Sequence, residues 1–157
     1  MNIIELNEIE GISENIKLNR VYIQFQELLI AIRKKDLPDK IIEIINQDIE
    51  DINSTSLINN ELRKLIVRKQ SKIIDLLNKE LKIVPKAFYQ NHLFALGGCL
   101  GVTIGTSFMI SIGSYTFSSG GIIIATVVGF TLGRMMDKNA LKKGRQLDFK
   151  IKILSKK

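Results

Sequence analysis

One cysteine, Cys99, and one histidine, His92, are the side chains from which nucleophilic or metal-based catalysis would have to be built. A thiol needs a basic neighbour or a metal to become reactive, and Cys99 stands in a segment without charged residues. A single histidine excludes a His-rich metal cage, and no Cys, His and Asp residues have metal-ligand spacing. Gly97-x-x-x-Gly101 lacks the lysine of a phosphate-binding loop. We therefore expect no catalytic residue, no metal site and no cofactor.

The segment around Cys99 is uncharged over 41 residues, because no Asp, Glu, Lys or Arg occurs from 93 to 133. As a helix it would extend roughly 60 Å, about twice the ~30 Å of a bilayer's hydrocarbon core. Two membrane spans, at about 92–112 and 118–136, would fit around the Gly- and Ser-rich turn "GSYTFSSGG" at 113–121. The alternative is a soluble protein with two central helices that are apolar on all sides, which the remaining residues could cover only in part.

The net charge of +7 lies entirely after this apolar block. Residues 1–92 carry fourteen basic and fourteen acidic side chains, whereas residues 134–157 carry nine basic and two acidic ones. A basic excess beside an apolar block is typical of membrane proteins and marks the cytoplasmic side. Nucleic-acid-binding domains instead spread basic residues over a folded surface. We expect a cell inner-membrane protein with both termini cytoplasmic and, since "MNIIELNEIEGISE" has no basic n-region, no cleavable signal peptide.

Small residues recur at every fourth position in both predicted spans. Glycine costs a helix interior about 1 kcal/mol relative to alanine, so this density needs a reason. In lipid, rows of small residues let two helix backbones approach closely. The rows could pack on each other within one chain, or they could form a glycine zipper between copies, and we favour self-association. The helix-packing residues are Gly97, Gly101, Gly105, Gly121, Ala125, Gly129 and Gly133.

Hydroxyl and basic side chains form two further series. Thr103, Ser107 and Ser111 also recur every fourth residue, about 120° around the helix from the glycine row. Such hydroxyls usually bond to their own helix backbone, but in an assembly they could line a pore. Basic residues beyond the second span are placed to contact lipid headgroups, and the tail could lie on the inner leaflet as an amphipathic helix. These basic residues are Arg134, Lys138, Lys142, Lys143 and Arg145.

The end of the second span reads "GFTLGRMMDKNALKKGRQL". This stretch resembles a group of uncharacterised small bacterial membrane proteins with a glycine-zipper transmembrane hairpin, over about residues 93–147. Asn139 stands where that group more usually has lysine. The resemblance implies a helical membrane hairpin and brings no activity with it. The residues that carry it are Gly129, Gly133, Asp137, Lys138, Ala140, Lys143, Gly144, Arg145 and Leu147.

The first ninety residues show apolar positions at helical spacing, which predicts helices at about 13–35, 38–52 and 57–84. Residues 21–26, "VYIQFQ", alternate between apolar and polar and could instead form a strand.

Together these patterns predict an all-α protein. It would have a cytoplasmic helical domain (1–90), a transmembrane hairpin with a glycine zipper (91–136) and a basic cytoplasmic tail (137–157). The expected partners are the lipid bilayer, further copies of the chain and a cytoplasmic protein, and not nucleic acid. The first functional hypothesis is a self-associating, pore-forming protein controlled by its cytoplasmic helices. The second is a non-conducting anchor or scaffold that recruits a cytoplasmic partner. A third, holin-like reading is disfavoured by the large cytoplasmic part.

Overall fold

The computed structural model describes residues 2–9, 12, 15–112 and 115–151, without the side chains of residues 108, 109, 112 and 115–119. Over these residues the chain is all-α, with five helices and no strand, which confirms the predicted class. The helices are α1 (Ile16–Arg33), α2 (Asp39–Asn53), α3 (Asn59–Leu81), α4 (Phe88–Ile112) and α5 (Tyr115–Lys142). The chain divides into two compact units. The N-terminal unit is Met1–Ile83 with Leu147–Lys157, and the helix-pair unit is Val84–Gln146.

In the N-terminal unit, α1 and α2 each pack against α3. Asn15 caps α1 by accepting a hydrogen bond from the Leu18 N–H, and Pro38 precedes α2, where its fixed φ suits a helix start. The core consists of aliphatic and aromatic side chains, and fully burying one such side chain contributes about 1.5–3 kcal/mol. Its fully buried members include Phe25, Leu28, Ile45, Ile49, Ile66, Ile73 and Leu77.

The three helices predicted for the first ninety residues are confirmed, and the strand alternative is wrong. Residues 21–26 lie inside α1, where Val21, Phe25 and Leu28 are buried on the 3.6-residue period. The third helix ends at Leu81, earlier than predicted, because Lys82 adopts a left-handed conformation with φ 56°. Beyond it, the Val84 N–H bonds to the Arg145 carbonyl oxygen at 3.0 Å.

The tail differs from its prediction. Gly144, with φ 67°, ends the helical run after α5, and residues 145–151 are not helical. Leu147 and Phe149 are buried and belong to the N-terminal unit. The predicted amphipathic tail helix is therefore wrong for the described part of the tail, because its apolar side chains pack against protein.

In the helix-pair unit, α4 and α5 pack against each other along their length in antiparallel orientation. Among the described helices, one stretch, Gly120–Lys142, is long and apolar enough to cross a membrane. Only 17% of its most apolar window is buried, whereas the central helix of a soluble protein would be mostly buried. The chain thus contains a candidate membrane span.

Candidate functional site

The backbones of α4 and α5 touch where the small residues occur. A Cβ atom added at Gly97 would lie 2.5 Å from the carbonyl oxygen of Ala125. A Cβ atom added at Gly129 would lie well under 3.0 Å from the carbonyl oxygen of Leu93, a separation that real Cβ atoms essentially never show. An added Cβ atom would likewise lie under 3.0 Å from Ile122 Cα at Gly101 and from Gln90 Cα at Gly133. Alanine at any of these positions would collide with backbone that cannot rotate away.

The two rows of small residues therefore face each other within one chain. At the other end of the pair the contact is looser, since a Cβ atom at Gly121 would lie 3.6 Å from Gly105 Cα. Gly98 and Gly120 lie outside the contact. A Cβ atom added at Gly98 would lie 3.9 Å from Thr126 Oγ1, and one added at Gly120 would have no neighbour within 4 Å. A zipper between copies through the same rows would require this pair to open. The predicted self-association stays a prediction.

The outer surface of the pair is aliphatic. Phe94 and Phe130 make an edge-on aromatic contact on it, with ring centroids 6.5 Å apart. Exposed apolar surface of this extent is rare on soluble monomers and marks contact with lipid or protein. Its exposed members include Leu96, Leu100, Val102, Ile104, Ile123, Ile124, Val127 and Val128.

The hydroxyl series of α4 lies on this exposed surface. Thr103 Oγ1 donates to the Cys99 carbonyl at 3.1 Å, Ser107 Oγ to the Thr103 carbonyl at 2.9 Å, and Ser111 Oγ to the Ser107 carbonyl at 3.0 Å. Each hydroxyl is thus satisfied by its own helix and needs no water. The series is compatible with a lipid surface as well as with a wet one.

Asp137, on α5, holds the beginning of α4. Asp137 is 7% exposed, and its carboxylate accepts hydrogen bonds from the Tyr89 N–H at 3.1 Å and from the Gln90 N–H at 3.0 Å. These two N–H groups belong to the first turn of α4, where backbone N–H groups find no acceptor within the helix itself. The first turn also carries the positive end of the helix dipole. In the sequence Asp137 stands out only through the resemblance, and no local signal predicts a contact across 47 and 48 residues.

The basic residues after the predicted second span separate into two environments. Arg134, Lys138 and Lys142 are exposed on α5, and Lys143 is exposed just beyond it, whereas Arg145 is half-buried. A groove of about 610 Å³ is lined by Lys138 and Lys142 together with apolar side chains of both helices. Those apolar side chains are Leu93, Leu132, Met135 and Met136.

A charged cluster joins α2 to α3 in the N-terminal unit. Lys69 Nζ and Lys72 Nζ each lie 2.8 Å from Oδ1 of the buried Asp48, and Lys69 also bonds to Asp51. The hydrogen bond and charge of Lys69 hold the pKa of Asp51 below its ordinary value. Burial lowers the pKa of Lys69, but the hydrogen bonds to Asp48 and Asp51 together with the charges of these two carboxylates outweigh burial and raise that pKa overall. The cluster therefore stabilises the packing of α2 on α3.

We expect this cluster to make the N-terminal unit acid-sensitive. The pKa of Asp51 is lower in the folded chain than its ordinary value of 3.8, so its stabilising contribution is complete above that value. The contribution is lost as the pH falls through the lower, folded pKa. Urea unfolding at pH 5 and pH 3 should show a smaller fall in midpoint for Asp51→Asn than for the wild type. The exposed Asp75→Asn should behave as the wild type, and an equal effect of both variants would contradict the assignment.

The described residues contain no group of three or more His, Cys, Asp or Glu side chains that could hold a metal ion. Cys99 is free and exposed on α4. The chain matches no known protein family, and no curated protein or solved structure is similar to it. The geometry itself is therefore the basis for assigning a function.

Proposed function

We propose that this chain is a membrane-anchored adaptor. In this proposal α4 and α5 insert into the cell inner membrane as a hairpin, and the N-terminal unit binds a cytoplasmic partner protein. The observation that carries the proposal is how the helix pair distributes its side chains. Small residues lie in the contact between the two helices, and aliphatic side chains face outwards.

The dimensions of the pair support insertion. α4 has 25 residues and α5 has 28, so each exceeds the ~20 residues that a hydrocarbon core requires. Backbone polar groups are satisfied inside a helix, and the hydroxyls of Thr103, Ser107 and Ser111 bond to their own helix. No charged side chain would have to enter lipid between residues 93 and 133.

The charges at the end of the pair support an orientation. Arg134, Lys138, Lys142 and Lys143 are exposed near the end of α5, and a basic excess marks the cytoplasmic side. The groove at Lys138 and Lys142 combines apolar walls with cations, which suits the junction of acyl chains and anionic headgroups. Both termini would then be cytoplasmic, and the connection between Ile112, where α4 ends, and Tyr115, where α5 begins, would lie outside. The predicted turn at 113–121 is too long, because residues 115–121 are helical.

A pore is the second candidate, and one observation favours it. Thr103, Ser107 and Ser111 lie on the outer surface of the pair, so several copies could direct this series towards a shared channel. Against it, the glycine rows that would drive such an assembly are engaged within one chain. Residues 93–133 also contain no Asp, Glu, Lys or Arg that could form a charged selectivity filter. The anchor therefore accounts for more of the geometry.

Labelling of single cysteines separates the two candidates. In a Cys99→Ser background, cysteine would be placed at Ser56, Ser107 or Ser118, and cells would be treated with a membrane-impermeant maleimide. For an anchor we expect Ser118→Cys to react in intact cells, Ser56→Cys only after the membrane is opened, and Ser107→Cys in neither case. Reaction at Ser107→Cys in intact cells would support the pore instead. Reaction of Ser56→Cys in intact cells would contradict the orientation.

A further inference from the structure

Residues 2–9, the N-terminal segment, lie along the N-terminal unit without helical structure and are held by two side-chain amides of α2. Asn46 Oδ1 accepts from the Ile4 N–H at 3.0 Å, and Asn46 Nδ2 donates to the Asn2 carbonyl at 3.0 Å. Asn53 repeats this pattern, accepting from the Asn7 N–H at 2.9 Å and donating to the Glu5 carbonyl at 3.0 Å. Each amide thus bonds a carbonyl and the N–H two residues later.

The spacing of the two amides fits an extended chain. Asn46 and Asn53 are seven residues apart on α2, which is two helical turns or about 10.5 Å. The bonded groups of the segment repeat every three residues, which spans about 9–10 Å in an extended or polyproline II conformation. Side-chain burial follows the same period, because Leu6 is buried and Ile3 and Ile9 are half-buried, while the residues between them are exposed.

Side chains of α1 hold the segment from its other side. Tyr22 Oη donates to the Asn7 carbonyl at 2.9 Å, and Arg33 Nη2 donates to the Ile4 carbonyl at 2.9 Å. Arg33 Nη1 also lies 3.8 Å from Glu5 Oε1. Except for this last contact, the bonds go to backbone atoms of the segment. They would therefore form with segments of many different amino-acid sequences. Recognition of side chains is limited to an apolar residue at every third position and an acid opposite Arg33.

The segment leaves space beside it. An open pocket of about 700 Å³ adjoins Asn2, Ile3 and Glu5, and one of about 310 Å³ adjoins Leu6 and Glu8. Only one side chain of the segment, Leu6, is buried among the residues described. A segment held by backbone bonds and one apolar anchor is a ligand that another peptide of similar pattern could replace.

We infer that the groove lined by Tyr22, Arg33, Asn46 and Asn53, the amide groove, binds an extended acidic peptide segment of a partner protein with an apolar residue at every third position. The N-terminal segment occupies this groove in cis, and the partner binds by displacing it. The inference rests on the proposed function in one respect, since it names the class of partner that an adaptor would recruit. Only grooves that the N-terminal segment has left can bind the partner. The apparent affinity for the partner is therefore the intrinsic affinity multiplied by the fraction of unoccupied grooves.

The test uses a fluorescently labelled peptide of residues 2–9, "NIIELNEI", titrated into the detergent-solubilised full chain and followed by anisotropy. In Leu6→Asp the segment loses its apolar anchor, so we expect the peptide to bind this variant at least tenfold more tightly than the wild type. Adding Asn46→Ala or Asn53→Ala to Leu6→Asp should reverse that gain. Asn60→Ala, an exposed asparagine on α3, is the matched control, and a peptide with asparagine in place of Ile3, Leu6 and Ile9 should not bind.

Equal binding to Leu6→Asp and wild type, with unchanged helix content by circular dichroism, would overturn the inference. So would a loss in Asn60→Ala as large as that in Asn46→Ala. Should Leu6→Asp lose helix, Glu5→Lys weakens the segment at an exposed position beside Arg33, and the peptide should then bind several-fold more tightly. No gain in that folded variant would overturn the inference as well. Because binding is measured in detergent, its failure is distinct from a failure of membrane insertion.

Discussion

Gly129→Leu is expected to separate α4 from α5, whereas the same substitution at Gly120, on the same helix, should leave the pair intact. A Cβ atom at Gly129 collides with the carbonyl oxygen and carbon of Leu93, which are backbone atoms of a regular helix. The helices can relieve this collision only by moving apart, which also removes the neighbouring contacts at Gly97 and Gly133. At Gly120 an added side chain meets nothing within 4 Å. Overpacking costs typically ~1–3 kcal/mol, and a branched side chain against backbone should lie at or above the upper end.

Spin labels at Leu96→Cys and Val128→Cys, both exposed on the outer surface of the pair, would report its separation by electron paramagnetic resonance in liposomes. With Cys99→Ser in all samples, we expect a longer and broader distance distribution for Gly129→Leu and an unchanged one for Gly120→Leu. Gly97→Ala and Gly98→Ala form a finer comparison at adjacent positions of α4. The added Cβ atom would lie 2.5 Å from the Ala125 carbonyl oxygen at Gly97, but 3.9 Å from its nearest neighbour at Gly98. Unchanged distances in Gly129→Leu would show that the rows do not form this contact in a bilayer.

The helical periodicity of α1, α2 and α3 made the N-terminal unit predictable. Burial on one face of a helix is a local property, so residues such as Val21, Phe25 and Ile45 could be assigned to a core from spacing alone. The ends were less predictable, because α3 ends where Lys82 turns left-handed, and no glycine marks that position. Local propensity identified the elements and not their last residues.

The pairing of α4 with α5 could not be decided from the sequence. A row of glycines has no preference between a neighbour in the same chain and one in another copy, since both offer the same backbone surface. The short turn gives the intramolecular partner a high effective concentration, which favours the pairing observed. The prediction of an amphipathic tail helix failed for a related reason. The tail's mixture of basic residues with apolar ones such as Leu147 and Phe149 fits a lipid surface equally well, and only the fold shows that these two side chains pack into protein.

The N-terminal segment was missed because its apolar residues recur every third position. Ile3, Leu6 and Ile9 fit neither the helical period of 3.6 nor the strand period of 2, so neither template detects them. Its partners, Asn46 and Asn53, lie more than forty residues away and look like ordinary polar positions of an amphipathic helix. Side-chain amides that bind a backbone leave no short-range pattern in the sequence.

Asp137→Ala is expected to loosen the beginning of α4 more than any other single change to a charged residue of the helix-pair unit. It would leave the amides of Tyr89 and Gln90 unpaired in a part-buried position and remove a negative charge from the positive end of a helix dipole. Hydrogen bonds to a charged group contribute about 1.5–3 kcal/mol each, and capping substitutions cost about 0.5–2 kcal/mol, so we expect a loss of about 2–3 kcal/mol.

Asp137→Asn should fall between Asp137→Ala and the wild type, because a neutral amide retains one acceptor oxygen but loses the charge. Hydrogen exchange of the Tyr89 and Gln90 amides measures the effect directly, and we expect it to accelerate at least tenfold in Asp137→Ala. Asn139→Ala, at an exposed position two residues further along α5, controls for the loss of a polar side chain from this part of the helix. Equal exchange in Asp137→Ala and Asn139→Ala would contradict the assignment. A local acceleration with unchanged spin-label distances would show that the carboxylate secures the helix start, while the glycine rows alone hold the pair together.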